Sequence, residues 1–228
     1  MRRFVGAGLL VAALALAVAC GSGGEEQPAA GIGGGGGAQE GQAPPAADSI
    51  PSTAADLGEL VLGEDDVPVG FSSLGSMNLD LGLDFLDLPA PQGMAAHMSM
   101  FDTPESEDMI VSMVILMEDD TALEEAFSQI DDLSGEQLQE AFSMVGAQTD
   151  MALLDTRELD VSGLGDRAYG LGLTIEVPYV GTMDSEMVFF GEGSLLAVAM
   201  TMTMGGGAAV DVVSLAETMA DKIEAAVQ

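Results

Sequence analysis

The apolar positions along this chain fall into three patterns. Phe4 to Ala19 is a continuous apolar run with no charge. Residues 21–56 hold almost no bulky apolar side chain, Ile32 and Ile50 excepted. From Leu57 onward, apolar and polar residues recur with the periods of folded elements. Met109 to Met117 is apolar on both of its alternating sides, which predicts a strand buried at the centre of a sheet. Ala168 to Tyr179 alternates Leu171, Leu173, Ile175 and Val177 with Gly170, Gly172, Thr174 and Glu176, a half-buried strand with one wet face. Ala95–Phe101, Leu153–Val161, Glu186–Phe190 and Leu195–Met204 read as further strands, with Gly191-Glu192-Gly193 as the tight turn between the last two. Helical spacing puts Leu123, Phe127 and Ile130 on one stripe, after a start at Asp120 or Thr121 where Glu124 completes a capping box. A second stripe runs through Leu138, Ala141, Phe142 and Val145, from Ser134 to Gly146. A closing helix carries Val212, Ala216, Met219, Ile223 and Ala226. Leu57–Leu62 reads as a short helical piece. Residues 72–93, with Gly75, Gly82, Pro89, Pro91 and Gly93, read as a long loop. Strands in a run, with helices grouped between and after, predict an α+β domain over residues 57–228: one mostly antiparallel β-sheet with helices packed on one face.

The two N-terminal patterns concern placement rather than fold. Met1-Arg2-Arg3 followed by a short apolar run and small residues has the form of a secretory signal peptide, residues 1–19. The run falls short of the roughly 20 residues that cross a bilayer core as a helix. Its close, Leu16-Ala17-Val18-Ala19-Cys20, resembles the lipobox of bacterial lipoproteins. That resemblance implies that Cys20 becomes the first mature residue and carries fatty-acyl chains such as palmitate. The lipid bilayer is then a partner through acylated Cys20, and the chain is lipid-anchored in the cell envelope on the outer side of a bacterial membrane. Residues 20–56 are too poor in bulky apolar side chains to offset ordering entropy, so they read as a disordered tether. A flexible coil of that length spans roughly 30–35 Å.

Charge narrows the partners. The chain holds 38 acidic residues against 5 basic ones, a net charge of −33. Beyond the leader only Arg157, Arg167 and Lys222 are basic. Nucleic acid is excluded as a partner, since phosphate binding needs clustered Lys and Arg. Cys20 is the single cysteine, so the domain has no disulfide and stands on its core.

The globular part also carries short motifs. Asp66-Val67-Pro68-Val69-Gly70-Phe71, Gly165-Asp166-Arg167-Ala168, and a glycine-centred hairpin leading into an alanine-rich closing helix resemble a broad class of exported lipoprotein and sensor domains. The extracellular domains of some bacterial Ser/Thr kinases are among these relatives. The resemblance implies an α+β fold and binding of a ligand or partner, with no catalytic residue to carry over.

Candidate chemistry is sparse. Met94, His97, Met98 and Met100 offer soft thioether and imidazole ligands suited to Cu(I). On a strand, however, His97 points away from Met98 and Met100, and methionine also serves as a gap-filler in cores. Glu64-Asp65-Asp66, Asp80 with Asp84 and Asp87, and Glu118-Asp119-Asp120 offer oxygen ligands for Ca²⁺ without EF-hand spacing. One histidine, no Gly-x-Ser-x-Gly element and no phosphate loop leave no catalytic constellation and imply no cofactor. Arg157 and Arg167 suit either salt bridges or an anion clamp in a ligand pocket. The leading reading is a non-enzymatic, extracytoplasmic binding or sensor-like domain for a small ligand or an envelope protein. The alternatives are a copper-handling lipoprotein and a purely structural envelope lipoprotein.

Overall fold

The computed structural model describes residues 56–80, 95–103, 108–117, 119–131, 151–179, 181–205 and 210–227. The leader, Cys20, the tether, Met94 and the stripe at 134–146 lie outside them. A 3-10 turn at Asp56–Glu59 opens the domain. Seven strands follow: β1 Ser72–Asp80, β2 Ala95–Asp102, β3 Met109–Leu116, β4 Ala152–Glu158, β5 Arg167–Val177, β6 Gly181–Glu192 and β7 Leu195–Met204. Two described helices are α1, Asp120–Asp131, and α2, Val212–Val227.

The strands form one antiparallel sheet in the order β1-β2-β3-β7-β6-β5-β4. Two meanders, β1–β3 and β4–β7, meet along β3 and β7. The α+β class and the single sheet are as the sequence predicts. The helices, however, do not share a face. Leu123, Ala126, Phe127 and Ile130 of α1 pack with Met98, Met113, Leu171, Met187 and Phe189. Val212, Leu215, Ala216, Met219 and Ile223 of α2 pack with Ile110, Val114, Val188, Phe190 and Ala197, on the alternate positions of the same strands. The two central strands are buried along nearly their whole length. Strands without a polar face need cover on both sides, so a helix lies on each.

The α1 side is rich in methionine. The register sets Met98 opposite Met113, Met109 opposite Met202, Met187 opposite Met200, and Met183 opposite Met204. With no Trp and 4% aromatic residues, these unbranched side chains fill the layer.

Local chemistry sets the ends of the elements. Asp119, not Thr121, caps α1: its Oδ1 accepts from the Ala122 N–H at 2.9 Å. Asp211 caps α2 by accepting from the N–H groups of Val213 and Ser214. The expected loop at 72–93 is a strand over its first nine residues. Ser72 to Asn78 are exposed, so this edge strand lacks the one-sided apolar alternation that marks a strand in sequence.

Candidate functional site

Among the described residues, a shaped surface lies around the β4–β5 connection, residues 159–166. Leu159 N–H donates to Gly170 O at 3.0 Å and Leu164 N–H donates to Val161 O at 3.3 Å, closing the loop on itself. Leu164 is buried with the α2-side core and pins the loop from beneath. Gly165 (φ 51) passes so close to β6 that a Cβ there would lie 2.4 Å from Gly191 O. The next residue, Asp166, donates its N–H to that same oxygen at 2.8 Å. The Gly165-Asp166-Arg167-Ala168 motif is therefore a docking turn: glycine for the close approach, then a backbone bond that fixes the entry to β5.

Two adjoining clefts flank this loop. An open one of about 600 Å³ is walled by residues 158–168, with Glu158, Asp160, Asp166 and Arg167 on its rim. A smaller one of about 170 Å³ lies between Gly163–Gly165 and α2, lined by Glu192, Glu217, Asp221 and Glu224. Burial, followed by the neighbouring carboxylates of Asp166 and Glu224, raises the Glu192 carboxyl above its ordinary value. Both clefts are dominated by negative charge.

The two arginines are not brought together. Arg167 projects from β5 to the α1 side, where its guanidinium carbon stands 5.5 Å from the centre of the Phe127 ring, within cation–π range. Arg157 lies on the opposite face. Its stem runs over Gly172, where a Cβ would meet Arg157 Cγ at 2.8 Å, and its guanidinium pairs with Glu186. Beyond this pair the sheet face is polar: Thr174 donates to Asp184 Oδ1 at 2.7 Å.

The Met/His segment is divided by the pleat. His97 packs against Gly58, and its Nδ1 lies 2.6 Å from Asn78 Oδ1. Met98 and Met100 point to the other face, into the α1-side core. Among the described residues no group of three His, Cys, Asp or Glu is placed to hold a metal ion. Nor is any helix among them long and apolar enough to cross a membrane.

The third basic residue, Lys222, has a defined partner set. Its Nζ donates to Val61 O at 2.9 Å and Asp66 Oδ2 at 2.5 Å, while the same carboxylate accepts from Gly63 N–H at 2.7 Å. Burial raises the Asp66 carboxyl, but the bonds from Lys222 and Gly63 and the lysine charge outweigh it and hold the group below its ordinary value. Asp66 thus ties the segment at its own motif to α2.

Sequence reasoning did not single out the carboxylates of the smaller cleft. Glu217, Asp221 and Glu224 recur at i, i+4 and i+7 and so share one helix face, a signal hidden by the abundance of acids.

No protein-family model matches the chain, and no curated protein matches it in sequence. Solved structures that are similar include the following two. The extracellular domain of PknH from Mycobacterium tuberculosis aligns with a TM-score of 0.45 at 10% identity, covering 77% of this chain and 98% of that one. An uncharacterised protein from Mycobacterium smegmatis, an Rv0999 ortholog, aligns with a TM-score of 0.40 at 13% identity, covering 79% and 97%. At these values neither likeness bears on function.

Proposed function

We propose that this chain is a lipid-anchored extracytoplasmic lipoprotein whose α+β domain is a non-enzymatic binding module, with the clefts beside the β4–β5 loop as its site. One observation carries the reading: a docked loop, bounded by clefts, presents Glu158, Asp160 and Asp166 next to Arg167, and the hydroxyl that meets a carboxylate there, Ser162 on Asp160, holds that carboxyl below its ordinary value, which makes it a weaker base. The lining favours a small ligand, or a segment of an envelope protein, that bears a cationic group. The anchor rests on the leader and on Cys20, and the tether gives the domain reach from the lipid surface.

Mass spectrometry of protein extracted from native membranes without denaturation tests both halves. The expected species begins at Cys20, carries acyl mass and releases a retained molecule on denaturation. Hydrogen exchange in residues 158–168 should slow when that molecule is present. An initiator methionine with an unmodified thiol refutes the anchor. Retained ligand with unchanged exchange at 158–168 refutes the site.

A further inference from the structure

The sheet has two free edges among the described residues, and they differ in kind. β4 is short, bulged at Leu154, and bears Asp155, Arg157 and Glu158, the charges by which natural proteins keep edges from pairing. β1 is nine residues long and exposed from Ser72 to Asn78. It has one bulge, at Leu74, and no charge before Asp80. The uncharged run is longer than the strand: Val67 to Leu79 contains no ionisable side chain in a chain of net charge −33. Within it Leu74 is 50% and Met77 42% exposed, both large apolar side chains.

We propose that β1 pairs antiparallel with β1 of a second copy of this chain, joining the two sheets across a two-fold axis. An added strand satisfies the N–H and C=O groups that an edge leaves unpaired. A two-fold contact sets the same patch against itself. Self-contact is therefore tolerated only by a patch free of like charge, because like charges directly opposite on paired strands destabilise the pair. β1 meets that condition wherever the axis falls between Ser72 and Leu79. Elsewhere the described surface is rich in carboxylates, so a second copy is repelled. The tether of the same chain is a poor occupant, since Gly and Pro dominate it and both are disfavoured in strands. Pairing also covers Leu74 and Met77. Because the repulsion between the two bodies remains while the contact itself is neutral, added salt should strengthen the pair, not weaken it.

Single-cysteine crosslinking in the membrane of cells expressing the full chain tests this. Ser73→Cys, Ser76→Cys and Asn78→Cys are made separately, with Ser128→Cys on the exposed side of α1 as the collision control and the unaltered chain as the control for Cys20. Mild oxidation should link at least one β1 variant to a dimer about tenfold more than either control. Adding Leu74→Glu with Met77→Glu should reduce that link about tenfold. For detergent-extracted protein, raising ionic strength from about 0.01 M to about 0.15 M, which cuts the screening length from roughly 30 Å to roughly 8 Å, should raise the dimer fraction in sedimentation. No β1 link above the controls overturns the proposal, as does a link that survives the double Glu variant. An edge reserved for a foreign strand gives the first of those results.

Discussion

Replacing Lys222 by Met removes one charge and keeps the apolar stem. It leaves Val61 O without its donor and strands the Asp66 carboxylate, whose side chain is 20% exposed against 29% for the lysine. An unsatisfied buried acceptor costs about 1–3 kcal/mol, and more when it is charged. Gly63 N–H still serves Asp66, which offsets the extra cost of its charge, so the middle of that range applies, about 2 kcal/mol. In a domain of this size that lowers the melting temperature by about 4–8 °C. The pH dependence has a definite sign. Asp66 sits below its ordinary value of 3.8 in the folded state, so its contribution is complete above that value and is lost as pH falls through the depressed one. The gap between Lys222→Met and the parent should therefore narrow below about pH 3.8, as far as the parent remains folded. Urea unfolding at neutral and acid pH measures it, with Asp66→Asn and the double variant completing a cycle. Independent sites add to within about 0.5 kcal/mol. A cycle that closes that well, or a gap that widens on acidification, would refute the account of how residues 61–66 are held to α2.

Three further outcomes follow from single positions. Gly165→Ala must move the loop away from Gly191 O and strain a positive-φ residue, so it should cost at least about 2 kcal/mol and speed exchange of the Asp166 amide; wild-type exchange there would contradict the docking turn. Glu192→Gln should gain a few tenths of a kcal/mol at neutral pH. Its raised carboxyl makes the charged form a burden above the folded pKa, so the gain should vanish below its ordinary value of 4.5; a gain that persists in acid means the burial and the Asp166 and Glu224 charges are not the cause. Tyr179, fully exposed at the β5–β6 tip with φ 66, should be replaceable by Gly with a gain of about 1 kcal/mol in thermal melts, since a side chain there strains the backbone without packing; a loss would show that the ring has a partner.

Much of the sheet was legible because its inner strands obey simple periodicity. Met109–Met117 and Leu195–Met204 read as strands, and each is central. Ala168–Tyr179 reads as a strand with one wet face, but only Thr174 and Glu176 keep that face open, because Leu159 and Val161 cover Gly170 and Arg157 covers Gly172. β1 was not legible: an edge exposed on both faces has no apolar period to detect, and Gly75, which sits beside the bulge, reads as a loop signal. The first helix starts at Asp120, one of the two expected positions, but its cap is Asp119 instead of Thr121, because both are competent caps and only the backbone's path decides between them. Placing helices on one face failed for a physical reason already present in the pattern, since two-sided apolar strands cannot leave a face open. At the site, Arg167 was legible as a rare cation beside a turn, but its aromatic partner Phe127 lies 40 residues away in sequence and only the packing of α1 on the sheet brings them together. The carboxylates of the smaller cleft were masked by composition.

The seam between the two meanders governs when this molecule can form. Met109 stands beside Met202 and Leu116 beside Leu195, so within the sheet the first meander pairs with the second only through the penultimate element of the chain. Closing so long a loop is slow, because its entropy is lost before any contact repays it. A polypeptide threaded through a membrane from its N-terminus would thus keep β3 unzipped on one side until nearly the whole length had emerged. In a chain exported that way, the order in which the strands are made would resist collapse before export and leave closure of the sheet to the far side.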